Sequence, residues 1–96
     1  MFWSTDITDY SFVVEDVHSL KRDGFFLVLG GNRKNVFELK EMAAEIWKLI
    51  QKPISFENLF KQIKKTYKVS DEELKEDLVS WLNEAINEKI VKKIKN

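Results

Sequence analysis

Ninety-six residues of 11.4 kDa, with 16 Lys and Arg balancing 16 Asp and Glu, make one domain and give no general attraction to nucleic-acid phosphate or an acidic membrane. The chain has no cysteine, which excludes disulfides, thiolate metal sites, iron–sulfur clusters and thiol catalysis. Hydrophobic residues at 44%, with only 3 Gly and 1 Pro, supply a core and do not fit a disordered composition. No apolar run approaches the roughly 18 residues that span a bilayer. Met1 to Tyr10 carries Asp6 and Asp9 and no basic residue, unlike an ordinary secretory signal. The expectation is a cytoplasmic protein with a flexible arm over 1–9 and a single domain over 10–96.

In chain order, Tyr10 to Val17 is β-branched and aromatic, with Tyr10, Phe12 and Val14 at period two, and predicts a first strand. His18 to Gly24 reads as a loop ending in Asp23-Gly24, a tight-turn dipeptide. Phe25 to Leu29 is a short apolar run, expected as a strand buried on both faces or nearly so. Gly30 to Asn35 is a turn, and Val36 to Leu39 a third strand. Connections this short predict an antiparallel meander of the three.

The second half is helical. Ala43, Ile46, Trp47 and Ile50 fall at i, i+3, i+4 and i+7, the apolar stripe of a helix over about Glu41 to Gln51. Lys52-Pro53-Ile54 stops it. Ser55 is a good N-cap for a second helix with Leu59, Phe60, Ile63 and Tyr67 on its buried face. Ser70-Asp71-Glu72-Glu73 is a capping box, opening a third helix that buries Leu74, Leu78, Trp81, Leu82 and Ala85. Ile90, Val91 and Ile94 among lysines suggest a short terminal strand or a frayed turn. Sheet and helices share one core, so the aromatics within these patterns read as structural. Phe2 and Trp3 are fixed by no pattern.

Catalytic signals are few. His18 is the one imidazole and reads as an ordinary loop residue, without the nucleophile or orienting partner a general base needs. No Ser sits in a nucleophile elbow. One His with scattered carboxylates makes a poor metal set. Gly30-Gly31 lies between strands and lacks the rest of a P-loop or dinucleotide fingerprint. Asp71, Glu72 and Glu73 are explained by the preference for negative charge at a helix N-terminus. The composition therefore points to a binding protein that is not an enzyme, with no metal and no cofactor. An enzyme, were it one, would be sensitive to His18.

Three helices beside a small sheet also suggest a winged-helix DNA-binding regulator, in which the third helix enters the major groove. From Ser70 to Glu88, however, there are 7 acidic residues and Lys75 alone as a base, and phosphate would repel such a helix. Lysines 61, 64, 65 and 68, with 89, 92, 93 and 95 of the tail, read as solvated faces. DNA binding stands as the alternative, with nucleic acid not expected as a partner.

The run Val36-Phe37-Glu38-Leu39-Lys40-Glu41-Met42-Ala43-Ala44-Glu45-Ile46-Trp47 resembles the PqqD-like family, the peptide-recognition elements of ribosomal peptide modification. There a strand runs into Leu-Asn-x-x-Ala-x-x-Ile-(Leu/Trp), matched by Leu39, Ala43, Ile46 and Trp47. Lys52-Pro53-Ile54-Ser55 with Phe56-Glu57-Asn58-Leu59 is similar to the family's turn and second helix. Asp77-Leu78-Val79-Ser80-Trp81-Leu82 is similar to its third, and Ile90-Val91 to its terminal apolar pair. The likeness covers about Phe12 to Val91. Lys40 stands where the family has Asn, so the first helix should lose a cap. Ala85 replaces a bulky Leu, which would widen the groove beside the third helix. Lys89 replaces a Gly.

The resemblance implies an α+β, winged helix-turn-helix-like fold, an N-terminal three-stranded antiparallel sheet followed by a three-helix bundle. It implies that the leader region of a precursor peptide adds as a strand to the third strand, in the groove against the third helix, and is presented to a modifying enzyme such as a radical S-adenosylmethionine protein or a leader peptidase. Asn35, Val36, Phe37, Glu38 and Leu39 would form the pairing edge. Leu74, Leu78, Trp81 and Ala85 would line the floor, with Asp77 at the rim. An unpaired edge also allows a strand-exchanged homodimer. No membrane partner is expected.

Overall fold

The computed structural model describes residues 7–31 and 34–95. The chain order is β1 (Tyr10–Val14), β2 (Ser19–Arg22), β3 (Phe25–Leu29), β4 (Val36–Lys40), α1 (Met42–Leu49), β5 (Ile54–Ser55), α2 (Phe56–Thr66), α3 (Asp71–Asn87) and β6 (Val91–Lys95). The fold is α+β, three helices with two three-stranded antiparallel sheets.

The N-terminal meander exists, but its members differ from the expected ones. It runs β2-β3-β4, and its first strand comes from the segment read as a loop. Asp23-Gly24 is the two-residue turn of the β2-β3 hairpin, with Arg22 opposite Phe25 and Gly24 at φ 83, where a side chain is strained. All four residues of β2 are exposed, so no buried alternation marked it. Backbone pairing to β3 makes it a strand.

The expected first strand belongs to the second sheet, as the central member of β5-β1-β6. Phe12, fully buried, lies opposite Ile54 on one side and Lys93 on the other. Strand pairing ends at Val14, beyond which the Glu15 N–H donates to the Ile90 carbonyl at 2.9 Å. The terminal segment is a strand, β6, whose Lys93 ammonium lies 4.8 Å from the Tyr10 ring centre. β3 is fully buried at Val28 and half-buried at Phe25, Phe26, Leu27 and Leu29.

Ser55 Oγ accepts the Asn58 N–H at 3.2 Å and Ser70 Oγ the Glu73 N–H at 3.1 Å, the two N-caps the sequence predicts. The N-cap of α1 is Glu41 and not Lys40, which is still in β4. Glu41 sits at φ 53 with no side-chain cap, so the helix begins on a strained residue. α2 and α3 meet through Lys64, whose ammonium donates to the Val69 carbonyl and lies 2.8 Å from Asp71 Oδ1.

The core joins both sheets and all three helices. Ile46, Ile50, Leu59, Ile63, Leu74, Leu78 and Leu82 are buried to within 1% of completely, each contributing about 1.5–3 kcal/mol against full exposure. Every buried side chain among the described residues is apolar. Residues 1–6, with Phe2 and Trp3, lie outside the described residues. Ile7, at the end of the expected arm, is 4% exposed and belongs to the core.

Candidate functional site

Hydrogen bonds in an antiparallel pair alternate between bonded and non-bonded residue pairs. The Gly30 N–H donates to the Asn35 carbonyl at 2.8 Å, and the register sets Val28 opposite Phe37 and Phe26 opposite Leu39. Those are the bonded pairs, and the backbones of Phe37 and Leu39 are engaged with β3. The N–H and C=O groups of Val36, Glu38 and Lys40 therefore point away from the sheet. β4 is an edge, with no described strand on the side away from β3.

Side chains alternate across the same strand. Phe37 and Leu39 turn inward, Leu39 to 5% exposure. Val36 is 64% exposed, and Glu38 shares the outer face with Lys40, 3.4 Å from carboxylate to ammonium. Opposite the inner side, α3 presents Trp81, Glu84, Ala85 and Glu88, at i, i+3, i+4 and i+7, to a cavity of about 200 Å³. Phe37, Glu38 and Leu39 form its strand wall, and Ala43 of α1 and Ile90 close it.

The loop between β3 and β4 is held against the end of α3. The Gly31 N–H donates to the Glu88 carbonyl at 3.1 Å. A Cβ at Gly31 would lie 2.5 Å from Lys89 Cβ and 2.7 Å from the Lys89 carbonyl oxygen, so only glycine allows this approach. Lys89 turns the chain out of α3 at φ 62, a conformation that favours glycine.

Of the residues singled out in the sequence, Phe37, Glu38, Leu39, Trp81 and Ala85 meet around this one cavity. Asn35 and Val36 are exposed on the approach to it, and Asp77 is exposed one turn before Trp81. Leu74 and Leu78 are fully buried in the core behind the helix and do not reach the cavity lining. Sequence reasoning passed over Ala43, Glu84, Glu88 and Ile90. The two glutamates were legible, since they complete the helical stripe through Trp81. Ala43 and Ile90 arrive only by folding.

Elsewhere, a cavity of about 160 Å³ lies beside β2, lined by Lys21, Arg22, Phe26, Glu45, Lys48 and Tyr67 among others. Burial first, then the Glu45 and Glu41 carboxylates, push the Tyr67 phenol above its ordinary range, with Lys48 opposing. His18 is exposed at the entry to β2, and its carbonyl accepts the Leu29 N–H at 2.9 Å. It borders a cavity with Asp16, Val17, Leu29, Gly30 and Gly31, and no hydroxyl or thiol is among the described lining residues. Among the lysines read as solvated, Lys61 pairs with Glu57 at 3.4 Å and Lys64 with Asp71. No described helix is long and apolar enough to cross a membrane.

An open strand edge beside an apolar groove is, in general, the arrangement that strand-adding recognition uses. The chain belongs to the family described as Coenzyme PQQ synthesis protein D (PqqD), which it matches over residues 26–91. That is a family of accessory recognition proteins, and membership ties the chain to PQQ or ribosomal-peptide biosynthesis. No curated protein and no solved structure gives a significant match.

Proposed function

We propose that the protein binds the leader region of a ribosomal precursor peptide by strand addition to β4 and presents it to a modifying enzyme, without chemistry of its own. The observation that carries this is the outward-pointing backbone of Val36 and Glu38 beside the cavity under Trp81 and Ala85. Pairing to the edge supplies affinity, and the cavity takes alternate peptide side chains and so chooses the register. Asn35 to Leu39 form the pairing edge, Trp81 and Ala85 the wall, and Asp77 the rim. Leu74 and Leu78 serve the groove from behind, by fixing α3 in place. The small side chain of Ala85 leaves room for an apolar anchor.

The partner enzyme is a radical S-adenosylmethionine protein or a leader peptidase. Three helices beside the meander support reading the fold as winged-helix-like. Nothing favours DNA as the ligand, since the exposed positions of α3 carry acids that phosphate would repel.

The test is amide NMR during titration with leader peptides from short reading frames next to the gene. Shifts concentrated at 35–39 and along 77–88 are the expected result. Saturable binding with shifts confined to other elements sinks strand addition at β4, and binding to duplex DNA alone sinks the peptide reading.

A further inference from the structure

The groove beside β4 is lined by apolar side chains and, along α3, by two acids. Glu84 and Glu88 both line it, and no lysine or arginine among the described residues does. Neither carboxylate has an ion-pair partner among the described residues. They also sit at the wrong end of their helix. The last turn of α3 holds no basic residue, so the negative pole of the helix and two carboxylates one turn apart reinforce one another. Nothing in the helix relieves this. A cation brought by the ligand would.

The spacing suits a strand. Residues four apart on a helix advance about 6 Å along its axis, close to the roughly 6.8 Å between alternate residues of an extended chain. Side chains of an added strand that point into the groove would meet Trp81 first, then Ala85 with Glu84 beside it, then Glu88, at successive alternate positions. We infer that the peptide bound here is cationic, carrying an apolar residue over Trp81 and Ala85 and a Lys or Arg at alternate positions toward Glu84 and Glu88. This rests on strand addition at β4 and names the ligand chemistry that reading leaves open.

The test uses the full chain and three synthetic peptides of identical apolar alternation, with Lys, Gln or Glu at the flanking positions, read by fluorescence anisotropy at low and high salt. The Lys peptide should bind about tenfold more tightly than the Gln peptide at low salt, through two partly exposed ion pairs. That advantage should shrink with salt and vanish in the Glu84→Gln/Glu88→Gln double variant. Val36→Pro should weaken the Lys and Gln peptides alike. Equal binding of Lys and Gln peptides, or tighter binding of the Glu peptide, overturns the charge inference while leaving strand addition standing. No binding of any peptide overturns both. A dimer in sedimentation that the double variant dissociates would make the occupant the basic β6 strand of a second copy, with Lys92, Lys93 and Lys95, and would overturn a separate peptide.

Discussion

The meander has two edges, and they are built differently. β2 is four exposed residues carrying Lys21 and Arg22, and its inner neighbour is a cavity of mixed charge, with Lys48, Glu41, Glu45 and Tyr67. β4 shows a bare Val36 at its edge and backs onto a cavity walled by Phe37, Leu39, Trp81 and Ala85. Basic side chains are a common way of protecting an edge from unwanted pairing. An apolar recess is what gives a paired strand something to anchor in. Two edges of one sheet can offer the same unpaired backbone, and only the surroundings decide which recruits a partner.

The β4 edge also depends on a tether that β2 lacks. Gly31 holds the β3-β4 loop against Glu88 and Lys89, at the end of the helix that lines the groove. Gly31→Ala should break that arrangement. The clash involves a backbone oxygen at 2.7 Å, and overpacking of this kind costs about 1–3 kcal/mol. Urea unfolding should report the loss, with peptide affinity falling in the fraction that stays folded.

A pair of proline variants separates the edges directly. By the register, the outward N–H groups belong to Val36 on β4 and to Lys21 on β2. Val36→Pro removes a donor with no backbone partner among the described residues, at the first position of its strand, where proline is tolerated. It should weaken peptide binding by about 0.5–1.5 kcal/mol, whereas Lys21→Pro should leave affinity unchanged once any stability loss is subtracted. Equal effects from the two would mean the ligand does not prefer β4.

Lys89→Gly sharpens the comparison from the other direction. Lys89 holds φ 62 beside Gly31, and glycine there should stabilise by up to about 1 kcal/mol. The melting temperature should rise without loss of peptide binding.

The smallest effect lies on the β2 side. The Tyr67 phenol is held above its ordinary value in the folded protein, so the unfolded chain ionises first. Its contribution is fully present below the ordinary phenol value of about 10 and is lost as pH rises through the folded value. Tyr67→Phe should flatten the alkaline fall in stability and change nothing in its pH dependence near neutrality.

The helices and their caps were legible because an amphipathic helix writes its buried face into local spacing. Ile46, Trp47 and Ile50, or Leu74, Leu78 and Leu82, need no knowledge of what they pack against. Ser55 and Ser70 were legible for the same reason, since an N-cap is satisfied within three residues. Strand existence was readable at β1, β3 and β4 from β-branched and aromatic runs. β2 was missed, because a wholly exposed edge strand carries no alternation. The apolar wall of the site could be named from Phe37, Leu39, Trp81 and Ala85, and its two acids were present in the same helical stripe.

By itself, then, the sequence determined the α+β class, the three helices, the two serine caps, the Asp23-Gly24 turn and the absence of thiol chemistry, all of them local or compositional properties. Tertiary structure alone decided which strands share a sheet, moving β1 from the meander to a place between β5 and β6. It also decided that Ala43 and Ile90 close the groove, that Gly31 meets Lys89, and that Leu74 and Leu78 turn to the core behind the helix. Those are contacts between residues tens of positions apart. A chain's periodicity states which face will be buried, and only the packed fold states against what.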